Sequence, residues 1–308
     1  GERAAPLDPG LPWGIQQMIR QIFPGGAVAM RTETDLQGRT FAEVAEAARR
    51  AEALGFDGVV SVEAGHDPFF PLLIAAEHSR RLTLGTGVAI AFPRSPFVTA
   101  QIAWDLQRFS GGRFLLGLGT QVKGHNERRY STPWSGPPGP RLREYVLCLR
   151  AIFDSFQNNA PPRFQGDHYR FTLISPYFNP GPIEHPHVPI YISAVGPYMC
   201  RLAGELCDGV RLAGFNTLRY TREVILPNLE AGARKAGRSL REIDIVGGGF
   251  IVTGRNREEI ERAKAATRAQ IAFYGSTRTY HGVLAVSYTH LRAHETPEHL
   301  VCRLLLEK

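Results

Sequence analysis

The sequence predicts an α/β fold of the (β/α)8 TIM-barrel type, in which parallel strands form an inner sheet and helices lie outside it. Seven strand-like segments alternate with seven helix-like segments between residues 30 and 285. The strands are short and rich in β-branched residues or leucine, as strands buried on both faces usually are. Strict alternation of this kind is typical of a parallel sheet covered by helices. A complete barrel needs about 250 residues and eight units, so we expect this one to lack its eighth unit.

The first four units are predicted from apolar strand-like runs, each followed by a helix-like segment. The first helix is the clearest, because Thr40 can cap its beginning and Gly55 can stop it. In chain order the segments are a strand at 30–36, a helix at 40–55, a strand at 58–62, a short helix near 69–78, a strand at 82–90, a helix at 95–110, a strand at 113–119 and a helix at 141–157.

The last three units follow an irregular segment. Residues 158–187 are rich in proline and aromatics and too long for a plain connection, so they are predicted to form an insertion over one end of the barrel. The units after it comprise a strand at 188–194, a helix at 197–207, a strand at 208–213, a helix at 217–237, a strand at 243–254 and a helix at 256–275.

The chain is predicted to hold a single domain at 30–285, because no linker or change of composition divides that range. Residues 1–29 precede Met30, which opens the first strand, and are expected to be an extension outside the domain. The run "WGIQQMIRQIF" in this extension contains Gln and Arg, so a signal peptide is not predicted. Residues 286–308 are expected to be a tail that adds nothing to the domain.

The composition is that of an ordinary globular protein, with 43% apolar and 21% charged residues among 308. No apolar run approaches the roughly 18 residues of a membrane-spanning helix, so no membrane partner is expected. The four cysteines form no C-x-x-C pair, and buried thiols in a reducing cytoplasm are the favoured interpretation.

The net charge of +7 comes from residues 30–285, and much of it surrounds one loop. The basic residues near this loop are Lys123, Arg128, Arg129, Arg141 and Arg143. A nucleic-acid partner is not expected, because a longer basic stripe with interleaved aromatics is missing. The cluster is either a solvated surface or a site for phosphate or polycarboxylate.

The loop itself reads "GLGTQVKGHNERRY" and follows the fourth predicted strand. A dinucleotide-binding fingerprint would require a third glycine at position 122, where the chain has Val122. A simple nucleotide-binding loop is therefore disfavoured. Loops at the carboxyl ends of strands carry the active sites of barrel enzymes, and this loop occupies such a position.

Several motifs, in order and at suitable spacing, resemble the luciferase-like monooxygenase superfamily. They are "RAEALGFDGVV", "LTLGTGVAIAFPRSPFVTAQIAWDLQRFSGGRFLLGLGTQ", "FQGDHYRF" and "PIYISAVGPYMCRLAGELCDGV". The nearer resemblance is to its branch of deazaflavin-dependent (coenzyme F420-dependent) oxidoreductases. It implies a barrel with an insertion, a small-molecule substrate, hydride transfer with coenzyme F420 and, as in many family members, a homodimer. The alternatives are an FMN-dependent monooxygenase and a non-catalytic flavin-binding barrel.

The resemblance also implies which residues hold the ring of the cofactor. Thr120 and Asn126 would face the ring, and Gln121 replaces a residue that varies with the chemistry in the family. A cis peptide bond between Gly87 and Val88 would support the ring from behind. The glycines of "GLG" would let the backbone approach a flat ring, and tight geometry between strand and loop is the alternative explanation for them.

Two further groups of residues complete the site that the resemblance implies. The cofactor's phosphate would lie at the start of a helix in "SAVGPYM", on the backbone amides of Val195, Gly196, Tyr198 and Met199. Proton transfer would fall to Glu63 or His66 in "VEAGHDPF", as donor or acceptor. Asp67 in the same segment is predicted to cap the following helix.

The histidines of the tail are not expected to bind metal. His294 and His299 are five residues apart with a proline between them, whereas two zinc ligands on one helical face need i,i+4 spacing. His290 and His294 have that spacing, but a third ligand is not evident. The tail also leaves the family pattern and resembles a translated sequencing-adaptor remnant.

Overall fold

The computed structural model describes residues 30–287, and within them the predicted alternation of strands and helices is confirmed. The predictions for residues 1–29 and for His290, His294 and His299 fall outside this range. The strands are β1 (Glu33–Asp35), β2 (Gly58–Ser61), β3 (Thr83–Thr86), β4 (Ala89–Ile90), β5 (Phe114–Gly119), β6 (Phe164–Gln165), β7 (Arg170–Phe171), β8 (Ile190–Ala194), β9 (Gly209–Leu212) and β10 (Asp244–Val246).

The helices are α1 (Phe41–Ala53), α2 (Phe70–His78), α3 (Pro96–Phe109), α4 (Lys123–Arg128), α5 (Pro138–Asn158), α6 (Pro197–Leu206), α7 (Leu218–Tyr220), α8 (Leu226–Lys235), α9 (Arg257–Gly275) and α10 (His281–Ser287). Most helices lie close to their predicted positions, but α4 and α10 were not predicted and the helix predicted at 217–237 is divided into α7 and α8. A π-helical segment, Thr221–Ile225, joins α7 to α8. Among the described residues, no helix is long and apolar enough to cross a membrane.

Eight of these strands form one parallel sheet in the order β1-β2-β3-β5-β8-β9-β10, with β4 also paired to β5, while β6 and β7 form a separate hairpin. The sheet is curled, as contacts between residues at its two ends show. The guanidinium of Arg31, just before β1, pairs with Asp244 at the start of β10. Arg211 of β9 likewise bonds Glu33 of β1 at 2.7 Å. The described part of the fold is therefore a curled, barrel-like sheet of seven parallel positions with helices outside, as the sequence predicts.

Strands β3 and β4 occupy one position in this order and are separated by a break. Gly87 and Val88 are joined by a cis peptide bond, as expected. Before the break Gly85 pairs with Leu115, and after it Ala89 pairs with Leu118. The chain thus continues along β5 on both sides of the break.

The two faces of the sheet carry different residues. The outward face is apolar and fully buried: Leu84, Leu116 and Ile190 have no exposed surface and belong to the same cluster as the helix residues that cover them. The inward face is rich in glycine and carries a charge. A Cβ on Gly85 would lie 2.7 Å from Nη2 of Arg211, which is 8% exposed.

The insertion packs against α3 and α5. Its hairpin, β6 and β7, is held by Glu144 of α5, which accepts the backbone N–H of His168 at 2.8 Å. Further along, Trp104 of α3 donates its indole N–H to the carbonyl of Gly181 at 3.0 Å. The insertion therefore covers the outer surface of two helices as well as the rim next to residues 130–137, where Ser135 contacts His168.

Candidate active site

The carboxyl ends of β2, β4 and β5 meet at one edge of the sheet. The Gly87 N–H donates to the carbonyl of Ser61 at 2.8 Å, and the Ala91 N–H donates to that of Gly119 at 2.9 Å. Val88 fills the space above Gly119, where a Cβ would lie 2.6 Å from its Cγ2. Glycine at 119 is thus needed for the chain at Val88 to lie so close.

Glu63 follows β2 and points into this edge. One carboxylate oxygen, Oε2, accepts the backbone N–H of Ile90 at 2.8 Å and Nη1 of Arg94 at 2.7 Å. The other, Oε1, accepts the hydroxyl of Tyr130 at 3.3 Å. The Glu63 side chain is 6% exposed. Three donors therefore surround the buried Glu63 carboxyl.

Arg94 and Tyr130 respond to the same carboxylate. Burial disfavours the charge of Arg94, but its bonds to Glu63 and Asp67 outweigh this and raise the pKa of the guanidinium. Burial and the nearby charge of Glu63 both raise the pKa of Tyr130, so its hydroxyl stays protonated at neutral pH. Both side chains are therefore hydrogen-bond donors to Glu63.

His66 and Asp67 lie further out on the same loop. His66 is exposed, and its Nδ1 contacts the carbonyl of Asp67 at 2.9 Å. Asp67 was predicted to cap α2, but the helix begins at Phe70 and the N-cap position is Phe69. Asp67 instead accepts the Phe69 N–H at 2.8 Å and Nη2 of Arg94 at 2.9 Å. Glu63 and His66 are thus in different environments, one buried and one in solvent.

The loop after β5 places Asn126 under the rim of the site. Asn126 lies on α4 and is fully buried, and its Nδ2 donates to the carbonyls of Thr120 at 2.9 Å and Val122 at 3.2 Å. Its Oδ1 is buried and accepts no hydrogen bond within the described residues. Gln121 has a positive φ of 54° and accepts the Val122 N–H through its own side chain. A buried acceptor without a donor is rare.

The segment after β8 places backbone amides at the beginning of α6. Gly196 is the N-cap residue and Pro197 the first helical residue. A Cβ on Gly196 would contact nothing within 4 Å. The ring of Tyr198 packs on Gly139 at the beginning of α5, since a Cβ there would lie 2.3 Å from its Cε1. Met199 is half-buried, and the free amides of a helix beginning favour an anion.

The loop before α6 is held from below by Tyr220. The Tyr220 hydroxyl donates to the carbonyl of Val195 at 3.0 Å, and burial raises its pKa. This tyrosine is 4% exposed and immediately precedes the π-helical segment. π-helical turns often occur at functional sites.

The basic residues around the loop do not converge on one point. Lys123 lies 3.8 Å from Glu127, and Arg129 donates to the carbonyl of Ala64 at 2.6 Å. Arg143 pairs with Glu205 of α6 at 2.7 Å. Arg141 packs its guanidinium 4.3 Å from the centre of the Phe92 ring. Of the two interpretations left open by the sequence, these contacts favour a surface role for most of the cluster.

Three residues of the site were not predicted from the sequence: Arg94, Tyr130 and Tyr220. Arg94 lies in "AFPRSPF", part of a motif that resembles the family, but nothing in this motif indicates a partner 31 residues earlier in the chain. Tyr130 ends the loop motif and carries no local signal. In the described residues no group of three or more His, Cys, Asp or Glu side chains could hold a metal ion.

A parallel barrel-like sheet with its site at the carboxyl edge of the strands defines a broad class of enzyme folds. A profile of the family described as "Luciferase-like monooxygenase" matches residues 24–301. The chain belongs to this family.

Comparison with individual proteins agrees with this membership. An uncharacterized protein of Mycobacterium tuberculosis (strain ATCC 25618 / H37Rv) is 42% identical over 260 residues, which cover 84% of this chain and 76% of that protein. An F420-dependent glucose-6-phosphate dehydrogenase of Intrasporangium calvum is 32% identical over 213 residues, covering 63% of this chain and 60% of that protein. The structure of a coenzyme F420 dependent tetrahydromethanopterin reductase from Methanopyrus kandleri matches with a TM-score of 0.67 and 23% identity, over 84% of this chain and 76% of that one.

Proposed function

We propose that this protein is an oxidoreductase that transfers a hydride between coenzyme F420 and a small organic substrate. Family membership and the similarity to the F420-dependent dehydrogenase of Intrasporangium calvum support the coenzyme. The observation that carries the proposal is the buried, unpartnered Oδ1 of Asn126 at the carboxyl edge of the strands. That atom needs a donor, and the N–H of a deazaflavin ring would supply one.

The residues present fit such a coenzyme in three respects. Val88 above Gly119 offers a small apolar surface against which a flat ring can lie. Asn126 offers an acceptor at the edge of the same surface. The amides of Val195, Gly196, Tyr198 and Met199, at the beginning of α6, suit a phosphate. Strands β5 and β8 are neighbours in the sheet, so the ring end and the phosphate end are adjacent.

When bound, the coenzyme would supply hydride chemistry at a ring carbon, and the chain would supply position and a dry pocket. Val88 and Gly119 would hold one face of the ring. Thr120 and Gln121, on the loop after β5, would line its edge, and Glu63 would present a carboxylate beside β4. His66, which is exposed, is the candidate proton carrier between the site and solvent.

Titration of the purified 308-residue chain with oxidised F420, and separately with FMN, tests the proposal. We expect saturable binding of F420, followed by coenzyme absorbance, and weaker binding of FMN. Tighter binding of FMN would support the monooxygenase alternative instead. A folded chain that binds neither coenzyme would overturn the proposal.

A matched control separates site binding from nonspecific attraction of the acidic coenzyme by a basic protein. Glu258→Gln, at an exposed position on α9, raises the net charge by one without touching the site. It should bind F420 as the unchanged chain does. Turnover is then sought by adding small alcohols or amines to protein loaded with oxidised F420, and imines to protein loaded with reduced F420, and by following the coenzyme band. A change in the oxidation state of the coenzyme separates an enzyme from a non-catalytic binder.

A further inference from the structure

Arg94 links the two loops that frame the ring end of the site. Nη1 bonds Glu63 Oε2 at 2.7 Å and the carbonyl of Ile90 at 3.1 Å, and Nη2 bonds Asp67 Oδ2 at 2.9 Å. The guanidinium also lies 5.5 Å from the centre of the Phe69 ring. One side chain thus connects the loop after β2 to the loop after β4.

The pair is buried on the side of Glu63. The exposed fractions of the side chains are 6% for Glu63, 18% for Arg94 and 34% for Asp67. A charge on Glu63 in this place requires a cation nearby, because desolvation favours the protonated form of a carboxyl group. Arg94 supplies that cation, and a guanidinium stays protonated under all ordinary conditions.

The other polar groups around Glu63 either donate hydrogen bonds to its carboxylate or bond to other partners. Tyr130 donates its hydroxyl to Oε1, and the Ile90 N–H donates to Oε2. Arg129 reaches the same loop but donates to the Ala64 carbonyl at 2.6 Å. Asp67, the remaining carboxylate, is held by Arg94 and by the Phe69 N–H. Its charge is therefore shared with the same guanidinium.

We propose that Arg94 is a positioning residue of this site, which holds Glu63 as a fixed, ionised hydrogen-bond acceptor so that Glu63 does not donate the proton in the reaction. This inference rests on the proposed function for its meaning in catalysis, but not for the ionisation state of Glu63. Both oxygens of Glu63 already accept hydrogen bonds, and neither has a geometry that requires its own proton. The Tyr130 hydroxyl is the neutral donor beside it.

The test compares Arg94→Met, Arg94→Lys and Glu63→Gln by infrared difference spectroscopy across about pH 5 to pH 8. A protonated carboxyl gives a carbonyl band, and a band of Arg94→Met that is absent when Glu63→Gln is added to that variant is assigned to Glu63. We expect no such band at pH 7 in the unchanged chain or in Arg94→Lys. In Arg94→Met the Glu63 band should appear within this pH range, because the buried carboxyl has lost its cation. Asp67→Asn is the matched control and should leave Glu63 ionised, because Arg94 remains.

F420 affinity gives the second measurement. Arg94→Met should weaken F420 binding by about tenfold, because nothing then holds the Glu63 carboxylate as an anion beside the ring. Arg94→Lys keeps a cation next to Glu63 and should recover part of this loss. If even the unchanged chain fails to bind F420, the proposed function fails while the infrared result still stands. Arg94→Met that folds and shows no Glu63 carbonyl band would overturn the inference.

Arg94→Met could also fail to fold, and a double variant covers that case. Glu63→Gln combined with Arg94→Met removes both charges together. If Arg94 acts by compensating Glu63, the double variant should recover folding that the single variant lacks. No recovery would count against the inference.

Discussion

Thr86 and Gly117 are joined by two hydrogen bonds through one hydroxyl. Thr86 Oγ1 donates to the Gly117 carbonyl at 2.6 Å and accepts the Gly117 N–H at 2.8 Å. The hydroxyl thus replaces backbone pairing where β3 stops and β4 has not yet begun. A Cβ on Gly117 would lie 2.1 Å from the Thr86 carbonyl oxygen, so this approach requires glycine.

Replacing Thr86 with valine should leave a buried N–H and a buried carbonyl of Gly117 without partners. We expect the free energy of unfolding to fall by about 2 to 4 kcal/mol. Thr86→Ser retains the hydroxyl and should lose about 1 kcal/mol or less, through the missing methyl group. Urea unfolding monitored by circular dichroism measures both. Equal losses in the two variants would contradict the assignment of the stability to the hydroxyl.

Asn126 should matter for the ligand more than for the fold. Its Oδ1 has no donor among the described residues, so Asn126→Ala removes an acceptor that none of the described protein groups uses. The variant should bind F420 about 5 to 30 times more weakly, the value of one hydrogen bond in a buried site. Asn126→Ala also removes two bonds from Nδ2 to the Thr120 and Val122 carbonyls.

Asn126→Asp separates these two effects, because it keeps the acceptor and removes the donor. Binding titrations and thermal unfolding of both variants are compared. If Asn126→Asp keeps F420 affinity closer to the unchanged chain than Asn126→Ala does, Oδ1 is the atom that binds. If the two variants lose affinity in proportion to their loss of stability, Asn126 is only structural.

The repeating part of the fold could be predicted because its signals are local. Thr40 caps α1 as predicted, and the reciprocal bond from Glu43 completes a capping box. Strand β10 is shorter than predicted, Asp244–Val246 rather than 243–254, since the three glycines that follow have no side chains to pack. The long helix predicted at 217–237 is interrupted by a π-helical segment that no periodicity in the sequence indicates.

The site was less predictable, because its contacts join residues far apart in the chain. The family resemblance pointed to Glu63, yet its partners Arg94 and Tyr130 lie 31 and 67 residues away. Which polar groups become neighbours depends on how loops leave adjacent strands, and spacing in the sequence does not encode that. The hairpin within the insertion is equally non-local, since Glu144 of α5 holds it.

Gly196 should discriminate between charge and bulk at the phosphate end. A side chain at this position meets no atom within 4 Å, so the fold should tolerate substitution. Gly196→Glu should weaken F420 binding by at least tenfold through repulsion of the phosphate. Gly196→Gln is the neutral control of equal size. An equal loss of F420 affinity in both variants would indicate steric block alone. Unchanged F420 affinity in both would show that the phosphate does not bind at this loop.

Glu205 should make part of the stability depend on pH. Its bond to Arg143 of α5, with a second one to Lys235 of α8, lowers the pKa of Glu205 to about 2. A carboxyl with a lowered pKa stabilises the fold above its unfolded value of 4.5 and loses that contribution as pH falls toward about 2. Glu205→Gln should therefore be less stable by about 1 to 3 kcal/mol at pH 7. The difference should narrow in urea unfolding below about pH 4.5, and a constant difference down to pH 3 would refute this cause.

Arg211 should stabilise the curled sheet through its bond to Glu33. The two side chains join β9 to β1 by bonds of 2.7 and 3.3 Å, and Arg211 is 8% exposed. Removing one partner of a buried ion pair leaves the other charge uncompensated, which costs about 3 to 5 kcal/mol. We expect Arg211→Met to lose that much unfolding free energy.

A double-mutant cycle with Glu33→Gln, measured by urea unfolding, tests whether the two side chains act together. The double variant should be more stable than Arg211→Met alone, because the buried carboxylate is then absent. If the losses of unfolding free energy in the two single variants add strictly, Arg211 and Glu33 act independently. Other contacts would then have to hold the curled sheet together, and the ion pair between Arg31 and Asp244 would be the first to test.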